Sequence, residues 1–230
     1  GYCAGARPPR RARAGAAPPL TPPPISLAAL SAGMVASAPM SEPARLAHYT
    51  YEEYRRFEET TDAKHEYLHG QILAMAGGTP EHAALAPAII GILERRLVGG
   101  PCHSFSSDLR VRVRASGLAT YPDVTVICGD FERDPDDRNA AVNPTMLVEI
   151  LSDSTDAYDR GEKADHYRRI PSLREYVLVS HRERRIERWW REGVGEWQRK
   201  SAGRGEILHL AALGIDLEVD AVYERSPLTR

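Results

Sequence analysis

Tyr121-Pro122-Asp123-Val124-Thr125-Val126-Ile127 and Leu147-Val148-Glu149-Ile150-Leu151 decide how this chain is read. Each sets one carboxylate in an otherwise apolar, β-branched run. Such runs predict strands buried on both faces of a sheet. A charge there is costly unless it is paired or binds a cation. Side chains alternate along a strand, so Asp123 shares a face with Tyr121, Thr125 and Ile127, and Glu149 with Leu147 and Leu151. The two carboxylates are 26 residues apart, enough for one strand, a loop and the neighbouring strand. Two adjacent carboxylates with an open coordination sphere suit Mg²⁺, or Mn²⁺, which takes few protein ligands and keeps several waters. Each also has a plainer reading. Asp123 can be a strand-start Asp bonded to a backbone N–H, and Glu149 can belong to a structural ion pair with an Arg.

The flanking sequence alternates helix and strand. Thr50 to Glu59 predicts a short helix, with Thr50 and Glu53 as a capping box. Residues 64–75 predict a strand with a kink or turn at Gly70. Thr79-Pro80 opens a second helix with an apolar stripe of Leu85, Ile89, Ile92 and Leu93, and with Pro87 inside it. Residues 102–114 end in the alternating Leu109-Arg110-Val111-Arg112-Val113-Arg114, a strand with one wet face. Residues 121–128 and 145–151 are the two buried strands, and the polar 129–144 between them predicts a loop that can move. A helix is expected over 159–170, stopped by Pro171. A hairpin of 175–180 and 184–190 turns at His181-Arg182-Glu183. A short apolar segment and a last helix complete 203–224. This order implies an α/β sandwich around a mixed central β-sheet flanked by helices.

Bulk properties exclude several classes. The chain has 230 residues, with 30 Lys+Arg against 32 Asp+Glu. No run approaches the length a membrane span needs. Cys3, Cys102 and Cys128 form no CxxC pair and are odd in number, which predicts neither a disulfide framework nor a structural zinc site. The simplest compartment is then reducing and cytoplasmic. Residues 1–39 hold eight prolines, four arginines and no acidic residue. This composition predicts a disordered arm over 1–43, upstream of a single domain over 44–230, with Met34 or Met40 as the start. Without residues 1–39 the chain holds 26 basic and 32 acidic residues, a balance that opposes loose, sequence-blind binding to nucleic acid.

Seven stretches, in order, resemble one family. They are Tyr49-Thr50-Tyr51-Glu52-Glu53-Tyr54, His65-Glu66-Tyr67-Leu68-His69-Gly70-Gln71-Ile72, Pro80-Glu81-His82, Ser107-Asp108-Leu109-Arg110-Val111, Tyr121-Pro122-Asp123-Val124, Leu147 to Thr155, and Asp159-Arg160-Gly161-Glu162-Lys163 followed by Tyr167. The resemblance is to the Uma-type restriction endonucleases, a bacterial branch of the PD-(D/E)XK nuclease superfamily, over roughly 48–220. It implies a restriction-endonuclease-like fold and a Mg²⁺-dependent or Mn²⁺-dependent endonuclease that cuts DNA, in the manner of a homodimer. It makes Asp123 a metal ligand and Glu149 the second acidic position. The superfamily pattern then wants Lys two residues on, where this chain has Leu151. Lys163 matches the recurring Lys of the Uma-type branch, with a surface pair to Asp159 as its plainer reading. Glu66 matches the family's early Glu, as a third carboxylate or the partner of an Arg. His82 is a proton carrier or phosphate contact by resemblance, or a structural His. Asp108 is a metal ligand, or a residue that supports one, by resemblance, or an ordinary cap.

Two further readings stay open. Leu151 and the acidic core favour a catalytically inactive binding or regulatory module on the same fold. A Cys-based hydrolase is poor, because the adjacent Cys102 and His103 point to opposite faces of a strand. The segment Arg182 to Arg191 mixes basic and aromatic residues, as a phosphate-contacting and base-stacking surface or as a solvated strand with core Trp residues.

Overall fold

The computed structural model describes residues 48–227 except 76, 194 and 225. The arm read from residues 1–43 lies outside the described residues. One six-stranded sheet runs β2 (Gln71–Ala74), β1 (His65–Leu68), β5 (Leu118–Thr120), β4 (Arg110–Val113), β8 (Asp137–Ala141), β7 (Arg133–Asp134). The other runs β12 (Gln198–Gly203), β11 (Arg185–Trp190), β10 (Glu175–Ser180), β9 (Met146–Leu151), β6 (Val124–Cys128), β3 (Cys102–Ser106). Both are mixed: β4 and β8 are parallel, as are β9 and β10, and the remaining neighbours are antiparallel. A small hairpin of β13 (Ile207–Leu210) and β14 (Ile215–Glu218) precedes the last helix, α5 (Val219–Tyr223).

Local chemistry explains the helices. In α1 (Tyr51–Glu58) the Thr50 hydroxyl accepts the Glu53 N–H and the Glu53 carboxylate accepts the Thr50 N–H, the expected capping box. In α2 (Pro80–Leu97) Thr79 caps the His82 N–H and Pro80 supplies the first helical residue. The stripe Leu85, Ile89, Ile92 and Leu93 is the buried face of α2. It packs with α5 on Val124, Val126, Val148, Ile150 and Val177, one side of the second sheet. The other side carries Leu147, Leu151, Tyr176 and Leu178. These meet Ala164 and Tyr167 of α4 (Glu162–Tyr167) and Val111, Val113 and Leu118 of the first sheet. Both faces of β9 are therefore buried, as its apolar run requires.

The structure corrects several expectations. Asp123 does not lie within β6, which starts at Val124. Pro122 has no N–H for a ladder, and residues 121–123 carry the chain from β5 in one sheet to β6 in the other. Residues 102–114 form two strands, β3 and β4, rather than one. The helix expected over 159–170 is split at Gly161 into α3 (Asp156–Arg160) and α4. A Cβ at Gly161 would lie 3.0 Å from the Ala157 carbonyl oxygen. Residues 129–144 are not simply a loop, since they hold the β7–β8 hairpin. Two buried carboxylates fix it: Asp134 accepts the Asp136 N–H, and Asp137 takes the Arg110 guanidinium and the Tyr51 hydroxyl.

Cys102 and Cys128 are register partners across β3 and β6 and form a disulfide. The sequence predicted none, because spacing does not reveal which strands pair. The cysteine argument for a reducing compartment loses its premise. Cys102 is also removed as a candidate nucleophile. Closing a loop of this length restrains the unfolded chain, so reduction should lower stability by at most about 3.5 kcal/mol. Urea unfolding with and without dithiothreitol measures this, and Cys102→Ala should show the loss without responding to reductant. No helix among the described residues is long and apolar enough to cross a membrane.

Candidate active site

Register brings the two decisive carboxylates together. β6 and β9 are antiparallel with Val124 opposite Val148. The ladder begins at that pair, and Asp123, the residue just before β6, lies next to Glu149 and Ile150 of β9. The contact is visible in the backbone, where the Ile150 N–H donates to Asp123 Oδ2 at 2.7 Å. The plain reading of Asp123, a strand-start acceptor, thus holds for one oxygen.

The first sheet contributes Glu66. Tyr67 pairs with Ala119, which sets Glu66 beside Thr120, and the Thr120 hydroxyl donates to Glu66 Oε1. Thr120 opens the crossover that ends at Asp123, so one short segment ties Glu66 to the pair on the second sheet. Helix α4 then inserts Lys163 between the sheets. Its ammonium lies 2.9 Å from Glu66 Oε1, 3.0 Å from Glu149 Oε1 and 3.5 Å from Asp159 Oδ1. The predicted surface pair with Asp159 therefore exists but is buried, and it belongs to a larger cluster. Glu149 also accepts the Tyr167 hydroxyl at 2.6 Å, and Glu66 accepts the Tyr158 hydroxyl at 3.3 Å.

His82 sits on the first turn of α2 with Nε2 3.6 Å from Asp123 Oδ2. Gly78 makes room for it, since a Cβ there would lie 2.5 Å from His82 Nδ1. Asp108 stands apart from these groups. Its side chain is 83% exposed and pairs with Lys64 at 2.7 Å. Leu151, the position the superfamily pattern gives to Lys, is a core residue beneath α4. Among the described residues the structure brings together Glu66, Asp123, Glu149, Lys163 and His82, and leaves Asp108 outside. Thr120 and Tyr158 were not found in the sequence, because their roles follow from strand pairing and helix placement. Asp159 was visible only as the residue four before Lys163.

Charge in this cluster is unbalanced. Asp123, Glu149, Asp159 and Glu66 surround one ammonium. Burial pushes Glu149 up to about 8, and the nearby Asp159 and Asp123 add to the rise while Lys163 opposes it. Burial likewise raises Asp123 and Asp159. Glu66 is buried too, but Lys163 and the hydroxyls of Thr120 and Tyr158 outweigh that and hold it below its usual range. Burial opposes the charge on Lys163, yet the surrounding carboxylates lift it well above the ordinary amine value.

These directions give a sign. Glu149 binds its proton more tightly folded than unfolded, so its contribution is full below about 4.5 and is lost as pH rises through about 8. The metal-free chain should lose about 2–3 kcal/mol between pH 6 and pH 8.5 on this account. Glu149→Gln should flatten that slope in urea titrations, and an unchanged slope in the variant would exclude Glu149 as its source.

The donor set fits a hard cation. It offers carboxylate oxygens in negative excess, and the contacts of Asp123 and Glu149 each run through a single oxygen, Oδ2 and Oε1. Among the described residues no group of three or more His, Cys, Asp or Glu side chains is placed to hold a metal ion, so a bound ion would rest on the two carboxylates and water. Two carboxylates with water completing the shell is the arrangement Mg²⁺ favours.

This fold is restriction-endonuclease-like: mixed sheets with few flanking helices, and a carboxylate–lysine cluster where the sheets meet. The family model described as "Putative restriction endonuclease" (Uma2) matches residues 51–221, and the chain belongs to that family. It is 36% identical over 175 residues to "Uncharacterized protein slr1290" of Synechocystis sp., covering 75% of this chain and 90% of that protein. It is 31% identical over 148 residues to "Uncharacterized protein sll1609" of the same organism, covering 64% of this chain and 84% of that protein. A crystal structure described as "a putative nuclease belonging to DUF820", from Anabaena variabilis, superposes with a TM-score of 0.61 at 15% identity, covering 75% of this chain and 96% of that one. At that identity the likeness is one of fold.

Proposed function

We propose that the chain is a metal-dependent endonuclease that hydrolyses DNA phosphodiester bonds and leaves a 5′-phosphate. The observation that carries this reading is the ammonium of Lys163, 2.9 and 3.0 Å from carboxylates of two different sheets, with Asp123 bonded to the Ile150 N–H beside one of them. Asp123 and Glu149 would hold Mg²⁺ or Mn²⁺. When bound, that ion neutralises charge on the phosphate and lowers the pKa of a bound water.

The protein's own part is positioning. The Ile150 N–H and the Tyr167 hydroxyl fix one oxygen of each carboxylate. Glu66 and Asp159 hold the Lys163 ammonium in place, where it opposes negative charge building on a phosphate oxygen. This supplies from α4 the cation that the superfamily pattern expects at position 151. His82, beside Asp123 and partly open to solvent, carries a proton between the site and water.

The working unit on this reading is a homodimer. The test is conversion of supercoiled plasmid to nicked and linear forms with Mg²⁺ or Mn²⁺, against Asp123→Ala and EDTA controls. Cleavage that persists in Asp123→Ala would assign the activity to a contaminant or to another site.

A further inference from the structure

The basic and aromatic segment 182–191 has its cations already committed. Arg188 is buried and pairs with Glu175 at 2.7 Å, Arg184 pairs with Asp220, and Trp189 packs in the core. A neighbouring cleft of about 500 Å³ is neutralised in the same way. Of its arginines, Arg160 bonds Asp156 at 2.7 Å and Glu187 at 2.6 Å, Arg182 pairs with Asp153, and Arg185 pairs with Glu183. A phosphate entering there would have to displace a carboxylate from each.

A second cleft, of about 410 Å³, differs. It lies between the turn after β3 and the β7–β8 hairpin, with buried Arg110 and Tyr121 at its base. Arg110 is paired with Asp137 and Asp108 with Lys64, but Arg133 and Arg138 are exposed and have no carboxylate partner among the described residues. Arg133 is nevertheless held in place. Its Nε donates to the Arg138 carbonyl oxygen at 3.1 Å, and its guanidinium lies 4.9 Å from the centroid of Phe131. Phe131 is half-buried and meets Phe105 edge-on at 5.6 Å. The result is a fixed cationic plane resting on an aromatic ring. The exposed acids of this segment, Asp130, Glu132 and Asp136, do not line the cleft. Tyr121, which lines the cleft, is two residues from Asp123 in the chain.

We propose that this cleft binds an unpaired stretch of DNA strand, with phosphates on Arg133 and Arg138 and a base stacked on the Arg133–Phe131 pair. Stacking of this kind requires a base whose face is not covered by its duplex neighbours, which selects single-stranded ends, flaps or branches. The inference rests on the nuclease reading for its purpose, but binding needs no chemistry and is measured without it.

The experiment is fluorescence anisotropy of a labelled single-stranded 15-mer with the full chain in EDTA, over a series of salt concentrations. Arg133→Glu/Arg138→Glu should weaken binding about tenfold or more at low salt and reduce the slope of log K against log salt by about 1.4. Arg133→Gln/Arg138→Gln should show a smaller loss of the same kind, which guards against misfolding of the charge reversal. Phe131→Ala should cost about fivefold or more, and Arg182→Gln should bind as the parent does. Equal binding by the parent and both arginine pairs, or no binding by the parent, overturns the proposal. Asp123→Ala separates it from the catalytic reading, because that variant should bind normally and fail to cut. A parent that binds through Arg133 and Arg138 but never cuts would sink the nuclease reading and leave this one standing.

Discussion

Asp123→Ala and Glu149→Ala should each reduce DNA cleavage by about a thousandfold or more, corresponding to about 4 kcal/mol of lost transition-state stabilisation. Glu149 lies in β9 and Asp123 just before β6, each held through one oxygen by the Tyr167 hydroxyl and the Ile150 N–H, so neither can move to replace the other. The double variant should be little worse than either single one, because residues that act as a unit do not add. Initial rates of plasmid nicking, normalised to folded protein, measure the effect. Losses of less than about tenfold in both single variants would remove the pair from the chemistry.

Lys163→Met should be the most destabilising single substitution in the cluster, costing about 3–5 kcal/mol near pH 8. Methionine keeps the length and apolar stem of the side chain, so the loss is chiefly electrostatic. Removing the ammonium leaves Glu66, Glu149 and Asp159 buried together without a cation. Lower pH should soften the penalty, since protonated carboxyls no longer repel. Urea unfolding at pH 5.5 and pH 8 tests both parts. A cost below about 1 kcal/mol at pH 8 would mean the carboxylates are already neutral or solvated.

The sequence exposed the fold where local rules decide. Capping chemistry located α1 and α2, and the spacing of Leu85, Ile89, Ile92 and Leu93 gave the buried face of α2. The continuous apolar runs gave β6 and β9, whose neighbours cover both faces. The turn at His69 and Gly70 and the β10–β11 hairpin also followed from local chemistry. Legibility failed where long-range pairing decides. Nothing in residues 129–144 announces that Asp134 and Asp137 are buried and anchor a hairpin, because their partners, Arg110, Arg114 and Tyr51, are distant in the chain. The pairing of Cys102 with Cys128 depends on the same kind of information.

The candidate site divides along the same line. Asp123 and Glu149 stood out because a carboxylate in an apolar strand demands an explanation. Lys163 and Glu66 rested on resemblance, and only the meeting of α4 with both sheets shows why they belong together. Asp108 matched the family pattern equally well, yet it lies at the surface with Lys64.

The most direct test of the central claim is titration calorimetry of the full chain with Mg²⁺ and Mn²⁺ at pH 8.5, where Glu149 is largely ionised. Saturable binding by the parent, lost in both Asp123→Ala and Glu149→Ala while each remains folded, is the predicted result. A folded parent that binds neither ion, or variants that bind as the parent does, would contradict a shared metal site at this pair.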